Sequence, residues 1–145
     1  MNIVLDASVA LAWIFERSAP GERELADRLL EPALGWQFQV PPLWHLEVAN
    51  GLLVGLRRAL LLEAHAANFL HHLYCLPITT DKTEPGVQGR QAFMRGQGAG
   101  LTAYDACYLD LALRQGAALA TFDRQLAQAA RQAGVQLVEQ RLLTR

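Results

Sequence analysis

The hydrophobic and polar positions along the chain separate into short apolar runs and longer stretches with helical spacing. Short apolar runs bounded by polar or turn-forming residues are typical of buried strands. This pattern predicts strands at residues 3–5, 38–40, 76–78, 118–122 and 135–138. Apolar residues recurring every three to four positions predict the intervening helices. These helices begin near Ser8, Pro20, Leu43, Leu62, Thr102 and Leu126.

The order of these elements predicts the fold class. Strands alternate with helices along most of the chain, which favours an α/β fold with a parallel sheet covered on both faces. The exception is the segment 77–100, where the Gly- and Gln-rich residues 96–98 are predicted to form a mobile loop. No linker or repeat divides the sequence, so a single domain spanning residues 1–145 is predicted.

Composition and charge narrow the class of protein. A chain of 145 residues that is 52% hydrophobic and 19% charged is typical of one globular domain. Its 13 Lys and Arg nearly balance its 14 Asp and Glu, so it lacks the overall basic character of many nucleic-acid-binding proteins. No signal-peptide or membrane-spanning pattern is present, and a cytoplasmic location is predicted. Cys75 and Cys107 are predicted to be reduced and buried.

Two aspartates follow predicted strands. Asp6 comes after the first strand, and Asp123 comes after the strand that ends at Phe122. Because the carboxyl ends of parallel strands meet at one edge of a sheet, these carboxylates are expected to lie close together. Each also has an ordinary explanation, since an aspartate between a strand and a helix can cap that helix, which stabilises it by about 1 kcal/mol.

Two further acids have different local settings. Asp105 stands three residues after Thr102, the spacing of a capping box, and capping alone would explain it. Glu47 lies between Leu46 and Val48 in an apolar helical stretch. Burying an unpaired carboxylate is costly, so Glu47 implies a partner. Asn50, nearly one helical turn further on, can offer an amide on the same face.

Convergence of the four acids would require a cation. Two unit charges about 4 Å apart repel by roughly 4 kcal/mol at an effective dielectric constant of 20. Several such pairs would raise the carboxyl pKa values or separate the side chains unless a cation neutralised them. A ligand set made only of oxygen atoms favours Mg²⁺ or Mn²⁺ over Zn²⁺. The acids therefore indicate nuclease-like metal chemistry.

Four segments resemble motifs of the PIN-domain family, especially the VapC-type toxins of bacterial toxin–antitoxin pairs. The chain opens with IVLDASV at residues 3–9, followed by PLWHLEVAN at 42–50, LTAYDA at 101–106 and ATFDRQL at 120–126. Each segment alone is weakly diagnostic. The four together follow the family's order over nearly the whole chain, which makes the resemblance specific.

This resemblance implies a fold, an activity and a site. The fold would be a three-layer α/β/α sandwich with a mostly parallel sheet of about five strands. The activity would be Mg²⁺- or Mn²⁺-dependent endonucleolytic cleavage of RNA. The implied acidic site consists of Asp6, Glu47, Asp105 and Asp123, with Asp6 and Asp105 as the direct metal ligands. Ser8 and Thr121 fall where the family places hydroxyls that orient these acids.

The resemblance also implies partners. A cognate antitoxin commonly lies in a groove among the first helices, and homodimers are frequent in the family. Candidate groove residues are Trp13, Phe15, Leu43 and Trp44, although each could equally pack in the core.

Other polar residues differ in whether the sequence places them near the proposed acidic site. Arg124 is the basic residue placed next to the proposed site, where it could contact an RNA phosphate. Asp110 is predicted to lie on a solvated helix face, turned away from Asp105. The four histidines form no recognisable metal-ligand set.

Two alternative functions are compatible with an acidic α/β protein. A phosphatase of the haloacid dehalogenase type needs a second aspartate two residues after the first, and Ser8 occupies that position. The other alternative is a PIN fold that binds RNA or protein without turnover. Metal-dependent RNA cleavage would discriminate between an enzyme and such a binding module.

Overall fold

The computed structural model describes residues 1–139 and shows a parallel sheet at its centre. The strands are β1 (Asn2–Leu5), β2 (Gln37–Val40), β3 (Ile78–Thr80) and β4 (Ala118–Ala120), in the spatial order β3-β2-β1-β4. All three pairings are parallel. The helices of residues 1–139 are α1 (Ala7–Leu11), α2 (Glu22–Leu29), α3 (Leu43–Arg57), α4 (Glu63–Tyr74), α5 (Pro85–Ala99), α6 (Ala103–Gln115) and α7 (Arg124–Gln132).

The central strand shows that helices cover both faces of the sheet. Ile3, Val4 and Leu5 of β1 are each 0% exposed. Successive side chains of a strand point to opposite faces, so burial of all three requires a layer on each side. The predicted three-layer α/β/α architecture with a parallel sheet is therefore confirmed.

The predicted number of five strands is wrong for residues 1–139, where the sheet has four. The segment predicted as the fifth strand, 135–138, pairs with β4 only through an isolated parallel bridge between Leu119 and Leu137. Two backbone hydrogen bonds of 2.9 Å hold that bridge, from Leu119 N to Gln136 O and from Val138 N to Leu119 O. Because both bonds involve Leu119, the pairing is confined to this residue and does not continue as a strand ladder.

The loop predicted around residues 96–98 is also wrong, because these residues belong to α5. The Glu84 carboxylate caps this helix by accepting hydrogen bonds from Gly86 N at 2.9 Å and Val87 N at 3.0 Å. Pro85 occupies the first turn, where its missing N–H is tolerated. Gly100 ends the helix with a φ of 67°, the left-handed conformation that favours glycine.

Tertiary packing explains why a glycine-rich segment is helical here. α5 packs along α6, where a Cβ atom at Gly96 would lie 3.7 Å from the Cβ atom of Ala106. The turn that joins the two helices passes closer still, and the same added Cβ would lie only 2.9 Å from the backbone oxygen of Leu101. Glycine therefore permits a close approach that a larger residue would prevent. This packing outweighs the low intrinsic helix propensity of glycine.

Asp110 is buried, so the prediction of a solvated position was wrong. Its side chain is 5% exposed and accepts hydrogen bonds from Arg95 Nε at 3.0 Å and Arg114 Nε at 2.8 Å. Arg114 also donates from Nη2 to Asp81 at 2.7 Å. These four side chains form a charged network that joins α5, α6 and the segment after β3.

The two cysteines differ in exposure. Cys75 is exposed at the end of α4, contrary to the predicted burial, and Cys107 is partly buried. Both are free thiols.

The helices themselves are short or polar: within residues 1–139, none is both long enough and apolar enough to cross a membrane.

Candidate active site

The four acids predicted from the sequence meet at the carboxyl edge of the sheet. Asp6 follows β1, Asp123 caps α7 after β4, Glu47 lies near the start of α3, and Asp105 is in the first turn of α6. The charge of Asp6 acts on Glu47 and Asp105, and the charge of Asp123 acts on Asp6 and Asp105. All four carboxylates therefore belong to one electrostatically linked group, which we call the acidic cluster.

Asp6 is held in place by two hydroxyl groups. Its side chain is buried, and its Oδ2 accepts hydrogen bonds from Ser8 Oγ and Thr121 Oγ1, each at 2.7 Å. Both hydroxyl oxygens in turn accept a backbone N–H at 3.0 Å, from Phe122 to Ser8 and from Asp123 to Thr121. Because the backbone donors approach the hydroxyl oxygens, the hydroxyl protons point towards Asp6. Ser8 and Thr121 thus fix the Asp6 carboxylate and tie the segments after β1 and β4 together.

Three members of the acidic cluster are harder to ionise than an exposed carboxyl group. Burial raises the pKa of Asp6, and the charge of Asp123 raises it further, against the opposing effect of the two hydroxyl groups. Burial also raises the pKa of Glu47, with added repulsion from Asp6 and Asp105. For Asp105, burial and then the charges of Asp123 and Asp6 raise the pKa. The repulsion among these carboxylates is therefore only partly offset by the hydrogen bonds that they accept.

Among residues 1–139, no basic side chain offsets the negative charge by a direct ion pair with an acid of the cluster. Within residues 1–139, the salt bridges of Arg residues go to other carboxylates. In that same part of the chain, no three His, Cys, Asp or Glu side chains stand close enough to hold a metal ion by themselves. Mg²⁺ commonly takes one or two carboxylates and completes its shell with water and substrate oxygens. The all-oxygen donor set and its uncompensated charge fit an ion of that kind.

Tyr108 is a site residue to which the sequence analysis gave no role. It is fully buried on α6, and its hydroxyl donates a 2.5 Å hydrogen bond to Glu47 Oε1. Burial raises the pKa of Tyr108, so the phenol remains a proton donor. This is the buried partner that Glu47 required, whereas Asn50 is exposed. The available signal was its spacing, since Tyr108 follows Asp105 by three residues and shares its helix face.

Three of the acids lie at helix N-termini, and the capping explanation is wrong for one of them. Asp6 occupies the N-cap position of α1, but its side chain makes no capping hydrogen bond there. Thr102 Oγ1 accepts the backbone N–H of Asp105 at 3.2 Å, which confirms the threonine half of the predicted capping box. Asp123 Oδ1 accepts the backbone N–H of Leu126 at 2.9 Å and caps α7. Asp123 therefore has a structural function in addition to its place in the acidic cluster.

The candidate partner groove is only partly supported by its predicted residues. Trp44 is 2% exposed and packs in the core. Trp13 donates from its indole to Ala26 O at 2.7 Å, which fixes α2. Leu43 is partly buried against the core. Phe15 lines a cavity of about 290 Å³ between α1 and α3, together with Leu11, Gly51, Val54, Gly55 and Leu60.

The raised pKa values predict how stability depends on pH. A carboxyl group whose pKa is raised in the folded state binds its proton more tightly there than in the unfolded chain. Its contribution to the stability of the fold is fully present below the unfolded pKa, which is 3.8 for Asp and 4.5 for Glu. That stability is lost as the pH rises through the folded pKa. In EDTA, Asp105→Asn should therefore melt a few degrees above the unmodified protein at pH 7.5, and the gap should narrow towards pH 5. Thermal unfolding at both pH values measures this.

Asp27→Asn is the matched control for that measurement. Asp27 is exposed on α2 and pairs with Arg23 at 3.0 Å, so its removal relieves no repulsion. We expect no gain in melting temperature for this variant at pH 7.5. A gap for Asp105→Asn that widens at pH 5 would contradict the assigned cause.

Comparison with known proteins gives consistent matches over most of the chain. Residues 3–132 match the family model of the PIN domain. Ribonuclease VapC3 of Pyrobaculum aerophilum is 36% identical over 129 residues, which cover 88% of this chain and 94% of that protein.

Two solved structures share the fold. The crystal structure of PAE2754 from Pyrobaculum aerophilum matches with a TM-score of 0.70 and 22% identity, covering 99% of this chain and 96% of that one. The structure of FitAcB from Neisseria gonorrhoeae matches with a TM-score of 0.54 and 19% identity, covering 94% of this chain and 96% of that one.

Proposed function

This chain belongs to the PIN-domain family, and from that premise we propose that it is a cytoplasmic, metal-dependent endoribonuclease. The observation that carries the proposal is the acidic cluster, in which four carboxylates meet without a basic partner among residues 1–139. The name of the VapC3 relative, a ribonuclease, supports RNA as the substrate.

The proposed metal ion is Mg²⁺ or Mn²⁺. Asp6 and Asp105 would be its direct ligands, with Glu47 and Asp123 completing the site. When bound, the ion would supply positive charge that activates water and offsets the negative charge developing on the scissile phosphate. The remaining contributions come from the side chains of the chain itself.

Each side chain has a definite part in this mechanism. Ser8 and Thr121 keep the Asp6 carboxylate in one orientation, so it needs little rearrangement during the reaction. Tyr108 occupies Oε1 of Glu47, which leaves Oε2 to accept a proton from the attacking water.

We also propose that a protein antitoxin restrains this activity, as the resemblance to VapC-type toxins implies. The cavity between α1 and α3 offers an apolar wall formed by Leu11, Phe15 and Val54. The side chains of Leu11 and Phe15 pack directly over two glycines of α3. A Cβ atom at Gly51 would lie 2.6 Å from Leu11, and one at Gly55 would overlap the ring of Phe15. A homodimer is proposed on the same family grounds.

The direct test is metal-dependent cleavage of labelled single-stranded RNA. With Mg²⁺ or Mn²⁺ we expect internal cleavage products, and with EDTA we expect the substrate to remain intact. Adding the ion back in excess of EDTA should restore cleavage. Cleavage that continues in EDTA would reject the metal-dependent mechanism. RNA binding without cleavage under any ion would instead favour the binding module.

A further inference from the structure

A groove adjoins the acidic cluster on the side of α7. It has a volume of about 410 Å³, and Thr121, Phe122 and Asp123 form its inner end. Arg124, Gln128 and Arg131 line it along α7. We call this surface the α7 groove. It begins at an acid of the cluster and continues along a wall that carries two arginines.

The spacing along α7 aligns these three side chains. Positions 124, 128 and 131 are separated by four and three residues, so they share one face of the helix. The rise of an α-helix spreads them over roughly 10 Å. The opposite face, formed by Leu126, Ala129 and Ala130, is buried in the core. The polar face is therefore fixed towards the groove.

Arg124 combines a position next to the acidic cluster with a side chain that forms no ion pair within residues 1–139. Within residues 1–139, six other arginines form ion pairs: Arg17, Arg23, Arg28, Arg95, Arg114 and Arg131. The basic residues of that part of the chain without an ion pair are Arg57, Arg58, Lys82, Arg90 and Arg124. Arg124 is the member of this set that follows a cluster acid directly. Its charge is available beside the site.

The carboxylates of Glu22 and Glu139 do not neutralise the arginines of the groove. Arg131 pairs with Glu139 at 3.7 Å, but its side chain is 63% exposed, and exposed pairs of this kind are weak. Glu22 also lines the groove, and its carboxylate accepts a 2.6 Å hydrogen bond from Arg17. The Arg17 guanidinium lies 5.1 Å from the centre of the Phe122 ring. The carboxylate of Glu22 is thus offset by its own partner.

We propose that the α7 groove binds the backbone of single-stranded RNA next to the cleavage point. Arg124 and Arg131 bind successive phosphates outside the scissile one, and Gln128 hydrogen-bonds the intervening nucleotide. The acidic cluster itself repels phosphate, so local arginines are needed to hold RNA on a chain of net charge -1.

This inference rests on the proposed ribonuclease function, and the test separates the two. A short fluorescein-labelled oligouridylate is titrated in EDTA, and its anisotropy gives the binding constant at several salt concentrations. The double variant Arg124→Gln/Arg131→Gln should bind at least about tenfold more weakly. The slope of log K against log salt should fall by about 0.7 for each phosphate that the variant no longer neutralises. Arg90→Gln, an exposed arginine on α5, is the matched control and should change neither quantity.

The possible outcomes separate failure of the groove proposal from failure of the ribonuclease proposal. If the unmodified protein binds the oligouridylate but does not cleave it with Mn²⁺, the ribonuclease proposal fails while the groove is still tested by the variants. An unchanged salt slope in the double variant, or an equal loss in Arg90→Gln, would overturn the groove. Failure of the unmodified protein to bind the oligouridylate would also overturn it. Thermal unfolding checks that the exposed substitutions leave the fold intact.

Discussion

Asp105→Asn is expected to slow RNA cleavage by at least about a hundredfold, the range seen when one preorganised electrostatic group is removed from an active site. Asn is nearly the same size as Asp but lacks the charge that a Mg²⁺ or Mn²⁺ ion requires. The backbone N–H of Asp105, which donates to Thr102, is unaffected by the change. Initial rates at saturating Mn²⁺ measure the loss, with Asp6→Asn expected to give a loss of the same order.

Metal binding provides a second measurement that does not depend on turnover. Mn²⁺ should raise the melting temperature of the unmodified protein, because a ligand that binds only the folded state stabilises it. Asp105→Asn should lose most of this increase, and the exposed Asp27→Asn should keep it. If Asp105→Asn cleaves RNA within a few-fold of the normal rate, Asp105 is not a member of the catalytic site.

Asp110→Asn is expected to reduce the free energy of unfolding by about 2–3 kcal/mol. The Asp110 carboxylate is almost fully buried between Arg95 and Arg114. Removing its charge leaves Arg95 without its ion pair and leaves Arg114 with Asp81 alone, and breaking a buried ion pair in this way is destabilising. The loss falls below the largest values for buried pairs because both arginine side chains are partly exposed. Urea denaturation measures it through the transition midpoint at constant slope.

The surface pair of α2 supplies the matched control for this substitution. Asp27→Asn breaks the pair with Arg23, in which both side chains are about half exposed. Its expected cost is below about 1 kcal/mol. Equal losses for Asp110→Asn and Asp27→Asn would show that burial does not set the strength of the Asp110 network.

The sequence predicted most of the sheet and the acidic cluster for identifiable reasons. The core of strand β1 is short and wholly apolar, so the residue pattern alone identifies it as a buried strand. Asp6 and Asp123 follow strands, and parallel topology brings the ends of neighbouring strands β1 and β4 to one edge. Glu47 was recognisable because a carboxylate in an apolar helical stretch requires a partner.

The errors arose where tertiary contacts decided the outcome. Helix α5 contains four glycines besides its cap, and it is helical because Glu84 caps its start and because it packs against α6. Asp110 was assigned to solvent because helix spacing turns it away from Asp105. Its partner Arg95 lies on another element, as does Asp81 of the same network, which local spacing does not reveal. The partner of Glu47 was sought one turn away on α3, whereas Tyr108 reaches it from α6.

Asp123 both caps α7 and belongs to the acidic cluster, and these two roles affect how an aspartate at this position in related sequences should be interpreted. Its carboxylate caps α7 through the N–H of Leu126, so folding alone favours an aspartate there even in a protein that cuts nothing. Selection would then preserve this position after catalysis had been abandoned. Asp105 has no such protection, since its side chain makes no capping bond within residues 1–139. Among diverged descendants, its loss would be the earlier mark of an inactive protein.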